Sequence, residues 1–293
     1  MQSEFVQITG NAAPDNASCG VTVTADGVPL RYGMFAPSGP ARGTVLLLQG
    51  RCECLERHFE TIRDFNARGL HVLSFDWRGQ GGSPPAAKPG RYGHVSSFNQ
   101  YERDVEHVVQ QLMLPDCPPP YFVCGNSMGA HLGLRIISKH NWFEAAIMVA
   151  PLIEPGRPHM PRWIKLAVTG AMTLLGMGRM KTPFYRNGLP DESGFAKNLL
   201  TSDKTRFVRN VRIWQQAPHL AAIAPTAGWV FAAMRSCSQL QNRDPLVPLT
   251  CPALLFIAAS DQVVSNEAVR AFARNAPGAA IVVINGALHD LLS

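Results

Sequence analysis

Short apolar runs recur along this chain, with helix-like segments between them. "TVLLLQG" (44–50) is a continuous β-rich run that closes on Gly50. Leu55 to Arg68 then sets Phe59, Ile62 and Phe65 at helical spacing on one face. "HVLSFD" (71–76) reads as the next strand, "WRGQGGSPP" as a glycine-rich loop, and Phe98 to Leu112 as a helix. "YFVCG" (121–125), a helix from Met128 to about Lys139, and "AAIMVA" (145–150) continue the alternation. It resumes much later with "ALLFIA" (253–258), a helix from about Ser265 to Arg274, and "AAIVVI" (279–284). These runs are apolar throughout, as strands buried on both faces are. The rhythm predicts an α/β fold: a mostly parallel sheet with helices on both faces. Two antiparallel edge strands are expected ahead of it, around 4–9 and 21–35, separated by a polar Asn/Asp/Pro/Gly stretch.

The rhythm stops between Ala150 and about Leu249. That stretch is rich in proline, basic residues, Met and Trp. "PRWIKLAVTGAMTLLGMG" reads as an apolar helix, and "TSDKTRFVRNVRIWQQAP" as a second helix capped by Ser202 or Asp203. About 100 residues between two strands is too long for an ordinary loop. The expected division is therefore a core formed by 1–150 and 250–293 and a helical cap, or lid, over 151–249. Such an insertion would cover the C-terminal edge of the sheet, where ligands bind in open parallel sheets.

Composition narrows the class. The chain has 293 residues, 46% hydrophobic and 16% charged, enough for one large domain with a sizeable core. The first ten residues, "MQSEFVQITG", lack the basic-then-apolar pattern of a secretory signal, and no window reaches the ~18 apolar residues of a membrane span. The expected location is cytoplasmic. Seven cysteines include no C-x-x-C pair, and Cys52-Glu53-Cys54 lacks nearby partners for zinc, so reduced thiols are expected and no metal. The net charge of +6 is uneven: residues 151–250 carry 13 Lys and Arg against 5 Asp and Glu, and the rest is slightly acidic. Anionic lipid headgroups are thus plausible neighbours of the cap, with a merely solvated basic surface as the alternative. No nucleic-acid motif is present.

The candidate chemistry sits in "YFVCGNSMGAH" (121–131). G-x-S-x-G is a moderate signal alone, but here it lies between a strand and a helix, the context a nucleophile elbow needs. Ser127 is then the nucleophile, and a hydroxyl requires a base. On this architecture the acid and then the histidine follow the serine. His131 shares the serine's helix, His140 can cap that helix, and His159 and His219 fall in the cap. His289, in "NGALHDLL" beyond the last strand, can return to the catalytic edge. Asp261 follows the preceding strand and is the expected acid; Asp244 precedes that strand, and Asp290 adjoins the histidine. The oxyanion hole is expected from the backbone amides of Met128, just after the nucleophile, and Arg51, just after "LLLQG".

With those residues placed, the chain resembles the α/β-hydrolase superfamily, and within it the lysophospholipase and monoacylglycerol-lipase group of serine hydrolases. The likeness spans nearly the whole chain and rests on "QGRCECLERHFETIRDFNARGLHVLSFDWRGQGGS", "GNSMGAH", "LLTSDKTRFVRN", "ASDQVVSNEAVRAFA" and "INGALHD". It implies structural roles for Asp76, Arg78 and Ser83. Two positions depart from the group: Gln49 and Asn126 stand where histidine is common in relatives. The chain also ends four residues past His289, where relatives often add a last helix, which leaves room for a shortened C-terminus.

The leading expectation is a serine ester hydrolase acting on lysophospholipid or monoacylglycerol, with no cofactor or metal and with peripheral contact at an anionic inner membrane face. A lipid substrate implies an acyl tunnel, expected along Trp163, Leu166, Met172 and Leu175. The alternative is a small-ester carboxylesterase or a serine aminopeptidase-like hydrolase, which would need an acidic subsite for a free amine. The cap's few acids (Glu154, Asp191, Glu192, Asp203 and Asp244) weigh against the peptidase. A third reading is a non-catalytic binding protein on the same scaffold. The intact order of Ser, Asp and His argues against it.

Overall fold

The apolar runs fold as the middle of one sheet. The computed structural model describes residues 4–83, 93–156, 161–183, 191–221, 224–244 and 246–292. Among them, eight strands lie in the order β1-β2-β4-β3-β5-β6-β7-β8. They are β1 Ala17–Val23, β2 Pro29–Phe35, β3 Thr44–Leu48, β4 His71–Phe75, β5 Tyr121–Asn126, β6 Ala145–Val149, β7 Ala253–Ala258 and β8 Ala279–Ile284. From β4 to β8 the neighbours are parallel; β1–β2 and β2–β4 are antiparallel. Every residue of β3 and β4 is buried, which is why these strands read as continuous apolar runs.

The edge strands differ from expectation. Residues 21–35 are not one strand but part of a hairpin, in which Val23 pairs with Pro29 across Asp26-Gly27. Gly27 takes φ +77° there, a conformation that suits glycine. Residues 4–9 contribute only a single bridge, Ile8 to Asn11. They serve packing instead: Phe5 stacks on Phe35 at 5.3 Å and meets Phe59 edge-on.

The helices follow the expected spans. After a 3₁₀ turn at Leu55–His58, α1 runs Phe59–Ala67. Asn99–Val108 (α2) passes through a π turn into the short Leu114–Asp116 (α3), and Met128–Ile136 (α4) and Asn266–Arg274 (α8) complete the core. Between β6 and β7 lie α5 (Arg162–Leu174), α6 (Lys204–Gln216) and α7 (Ala227–Gln241). Asp203 caps α6, accepting from the amides of Thr205 and Arg206.

The third helix between β6 and β7, α7, was not legible in the sequence. Trp229, Ala232, Ala233 and Leu240 on it belong to the same buried cluster as the sheet. Ser236 ties it to α4: it accepts from Arg135 Nη1 (2.8 Å) and lies 2.7 Å from His131 Nε2. His131 Nδ1 bonds the Leu152 carbonyl at 2.7 Å. Burial pushes His131 down to about 4, so it is neutral near pH 7 and takes the Ser236 proton.

Charge fixes the loops at the C-terminal edge. Arg31, 1% exposed, is bound by Glu56 and Asp76 at 2.8 and 2.6 Å. Asp76 also accepts from the Leu55 amide and from Gln49 Nε2, and Ser83 Oγ donates to its carbonyl. Arg78 pairs with Asp26 and Asp104. The structural roles expected for Asp76, Arg78 and Ser83 are what the bonds display. A second set of charges latches α6 to the core: Arg206 and Arg209 on α6 both bind Glu60 on α1.

That latch is pH-dependent. The hydrogen bond from Arg206 and the pair with Arg209 hold the Glu60 carboxyl at about 2, against an ordinary 4.5. A depressed folded pKa adds stability that is complete above the ordinary value and fades as pH falls towards the depressed one. Hydrogen-exchange protection of α6 should therefore fall between pH 4.5 and about pH 2. Glu60→Gln should start lower at neutral pH and lose less over that window. Equal protection in the two proteins across the window would rule out the latch.

Candidate active site

The site is made where β3, β5, β7 and β8 end. Ser127 follows β5 directly and starts α4 with φ +50°, a strained value for a residue with a Cβ. Neighbours hold it there: its amide donates to Val149 O (2.8 Å), and its carbonyl accepts from His131 and Leu152 amides. The two glycines of G-x-S-x-G are required by space. A Cβ on Gly129 would sit 2.1 Å from the Leu48 carbonyl oxygen, and one on Gly125 would sit 2.6 Å from the Ala130 backbone. The start of α4 is thus pressed against the bare end of β3, the strand that leads into Arg51.

The structure brings Ser127, His289 and Asp261 into one hydrogen-bonded chain. His289 Nε2 lies 3.0 Å from Ser127 Oγ, and its Nδ1 lies 2.7 Å from Asp261 Oδ2. The other carboxylate oxygen of Asp261 accepts from the Val263 and Val264 amides at 2.8 and 3.0 Å. An ionised carboxylate only accepts, so Nδ1 carries the ring proton and Nε2 is left to take the serine's. The Asp261 side chain is fully buried, and His289 is 5% exposed.

The rival residues are engaged elsewhere. Asp244 turns back on the Leu246 amide, and Asp290 pairs with Arg57 at 2.6 Å. His140 caps α4 through its backbone, its amide donating to the Ile136 carbonyl at 2.9 Å, while its ring meets Glu106 at 3.0 Å and stacks on Trp142. His219 lies in the 3₁₀ turn Pro218–Leu220, and His159 lies outside the described residues.

Ser127 Oγ opens on a cavity of about 890 Å³ that Arg51, Met128 and His289 also line. As the first residue of α4, Met128 has an amide without an intrahelical partner. The Arg51 guanidinium stacks on Trp229 of α7, 4.6 Å from the ring centre. The apolar wall comes from Phe207, Val211 and Trp214 on α6 and from Trp229, Ala233 and Met234 on α7. This corrects the expected tunnel: Trp163, Leu166, Met172 and Leu175 do not line the cavity. Trp163 and Leu175 are 72% and 76% exposed, because α5 turns only Arg162 and Lys165 towards it.

Glu53 is the residue that the sequence reading missed. Its carboxylate accepts from the Gly50 amide (2.5 Å) and from Asn126 Nδ2 (2.9 Å), and bonds His58 Nε2 (2.8 Å). It therefore joins the loop after β3 to the residue before the nucleophile. Burial raises its pKa, yet the His58 bond and the charges of His58 and Arg57 outweigh that and hold it at about 2. The available signal was a lone acid three residues after Gly50, masked by its cysteine neighbours. Gln49, in place of a common histidine, donates to the Phe75 carbonyl at 2.9 Å.

A parallel sheet with an antiparallel edge, a serine elbow after β5 and helices over the C-terminal edge define a serine hydrolase of the α/β-hydrolase fold. More narrowly, the chain belongs to the serine aminopeptidase S33 family, whose profile matches residues 39–293. It is 27% identical over 284 residues to lysophospholipase L2 of Escherichia coli strain K12, covering 91% of this chain and 79% of that protein. A monoacylglycerol lipase of Mycolicibacterium smegmatis is 32% identical over 130 residues, 45% of this chain and 44% of that protein. In fold, the chain is similar to a soluble variant of the Saccharomyces cerevisiae monoglyceride lipase. The TM-score is 0.73 at 20% identity, over 100% of this chain and 92% of that one.

The close approach of α4 to β3 is testable. Gly129→Ala must push the elbow away from Leu48 and Gln49, whose oxygens lie 2.1 and 2.5 Å from the new Cβ. Overpacking against backbone should cost about 3 kcal/mol or more. Urea unfolding should show that loss, and ester turnover should collapse with it. Wild-type stability in this variant would mean that the elbow does not rest on β3.

Proposed function

We propose that the chain hydrolyses acyl esters of lipid-like molecules, lysophospholipid or monoacylglycerol, through an acyl-enzyme on Ser127. His289 takes the Ser127 proton as the oxygen attacks the ester carbonyl, and Asp261 steadies the imidazolium that forms. The backbone amides of Arg51 and Met128 receive the developing oxyanion, a contribution worth about 10² to 10³ in rate per donor. His289 then protonates the leaving alcohol. The same histidine activates the water that releases the fatty acid.

The observation that carries this reading is the serine–histidine–aspartate chain opening on an apolar cavity of about 890 Å³. That volume lies near the upper end of the roughly 300–1,000 Å³ common for ligand sites, and suits a long apolar group. The lysophospholipase and monoacylglycerol lipases among the relatives support the same substrate class. The aminopeptidase reading is weaker. An amine subsite needs an unpaired acid, yet Glu154 and Asp290 on the cavity wall pair with Arg162 and Arg57, and Glu53 is bound as described.

The cap offers a surface for the lipid phase. Trp163, Ala167, Ala171, Leu174 and Leu175 follow one another along the outer side of α5 and its end, all exposed and all apolar. Leu174 is 88% exposed. A soluble helix ordinarily turns polar residues outward. Arg179 and Lys181 follow the stripe in the chain; Arg157 lies outside the described residues. Among the described residues no helix is long and apolar enough to cross a membrane. The contact proposed is therefore peripheral, with the anionic inner face of a cytoplasmic membrane.

Hydrolysis of a p-nitrophenyl ester tests the chemistry. Ser127→Ala and His289→Ala should reduce turnover to a trace, and Asp261→Asn should lower kcat by about 10⁴. Combined variants should lose little more than single ones, because the three act as a unit. Asp244→Asn should behave as wild type. Near-normal turnover by Ser127→Ala, or a silent Asp261→Asn beside a severe Asp244→Asn, would overturn the assignment.

Vesicle sedimentation tests the surface. Binding to anionic vesicles should exceed binding to neutral ones at low salt and weaken as salt rises. Removing Arg179 and Lys181 should cut anionic binding on the order of 30-fold, at about 1 kcal/mol per basic residue. Trp163→Ala with Leu174→Ser should weaken both. Equal binding to the two vesicle types, or none to either, would leave only a solvated basic surface.

A further inference from the structure

The segment that carries His289 has no regular structure to hold it. β8 ends at Ile284, and residues 285–292 form neither helix nor strand. The position of the imidazole must therefore come from individual anchors. Behind His289, Ser260 N donates to the Ala287 carbonyl at 3.1 Å. Ahead of it, the Asp290 amide donates to the Leu200 carbonyl at 2.6 Å, and two side-chain anchors come from the stretch that follows the loop after β3. Arg57 Nη2 donates to Asp290 Oδ2 at 2.6 Å, and Thr61 Oγ1 donates to the Leu292 carbonyl at 2.6 Å.

Arg57 also faces Glu53, with Nη1 4.0 Å from Oε1. Through the bonds of Glu53 to Gly50 and Asn126, the buried line Glu53–Arg57–Asp290 touches a residue beside Arg51, a residue beside Ser127 and the residue beside His289. The three side chains of that line are only 4–7% exposed. A buried ion pair adds little net stability over apolar residues of the same size. What it does supply is direction: a charge-assisted hydrogen bond fixes both partners in angle and distance.

We infer that Arg57 is a positioning residue for the hydrolysis proposed above. Gripping Asp290 from a frame shared with the oxyanion turn and the nucleophile elbow, it sets His289 Nε2 opposite Ser127 Oγ. The inference rests on the assignment of Ser127, His289 and Asp261 and adds a second tether to the histidine, independent of Asp261. Asp261 holds the ring; Arg57 grips the Asp290 side chain beside it, while the Leu200 carbonyl takes the Asp290 amide.

The test is kinetics on a soluble short-chain p-nitrophenyl ester, with thermal melts of each protein. Asp290→Asn and Arg57→Met should each lower kcat on the order of 100-fold, the scale of an ångström-sized misplacement, while KM stays nearly constant. Arg57→Lys should recover part of the loss. The double variant Arg57→Met/Asp290→Asn should be no worse than the poorer single one, because both remove the same tether. It also leaves no unpaired Asp290 charge, so it and Arg57→Lys decide the matter if Arg57→Met fails to fold. Wild-type kcat in folded Asp290→Asn, a loss confined to KM, or additive losses would overturn the inference. Ser127→Ala, run beside them, separates the two claims. An active Ser127→Ala removes the serine mechanism itself, whereas an inactive one beside a fully active Asp290→Asn removes only the tether.

Discussion

Ser127 can stand where it does only because the start of α4 touches bare backbone at the end of β3. The contact leaves no room for a side chain at Gly129. It brings the loop after β3 beside the elbow after β5, and so places Arg51 and Met128 on one cavity wall with Ser127. The strained φ of Ser127 persists because three backbone hydrogen bonds to Val149, His131 and Leu152 over-determine it. A looser approach would relax the serine and separate it from the proposed oxyanion amides of Arg51 and Met128.

Everything else at this edge serves to keep loops in place without regular structure. The sheet is apolar, but its C-terminal loops are filled with charge. Arg31 on β2 ties Glu56, after β3, to Asp76, after β4, and Glu53 joins the β3 loop to Asn126. These groups are buried and paired. Their worth lies in geometry rather than in net stability. The segment between β6 and β7 adds the apolar half: α6 and α7 wall the cavity, the Glu60 latch and the Ser236 bonds hold them to the core, and α5 keeps its apolar stripe outside.

The strands were legible because doubly buried strands are apolar at every position, and the ends of those strands carried Ser127 and Asp261 to the right edge. His289 could be chosen among five histidines because only it follows the last strand. What escaped reading lacked a local signature. The helix α7 is buried on more than one side, with Trp229 and Leu240 in the core and Ser236 on His131, so it has no clean polar face to give a period. Glu53 depends on Asn126, 73 residues away, a contact no window contains. The apolar stripe of α5 was visible, but a period reports that a face is apolar, not what it faces. That is why its residues were read as a tunnel lining. The first edge strand failed for a similar reason: residues 4–9 are apolar enough for a strand, yet Phe5 is used to cover Phe35 and Phe59.

The oxygen of a serine activated by His289 should attack the phosphorus of a fluorophosphonate and displace its fluoride, its proton passing to His289, leaving one covalent adduct. Peptide mass spectrometry of the labelled protein should place that adduct on Ser127, in the segment "YFVCGNSMGAH". Labelling should fall to background in His289→Ala while that protein keeps its fold. An adduct on any other residue, or equally fast labelling of Ser127 without His289, would contradict a histidine-activated nucleophile at the elbow.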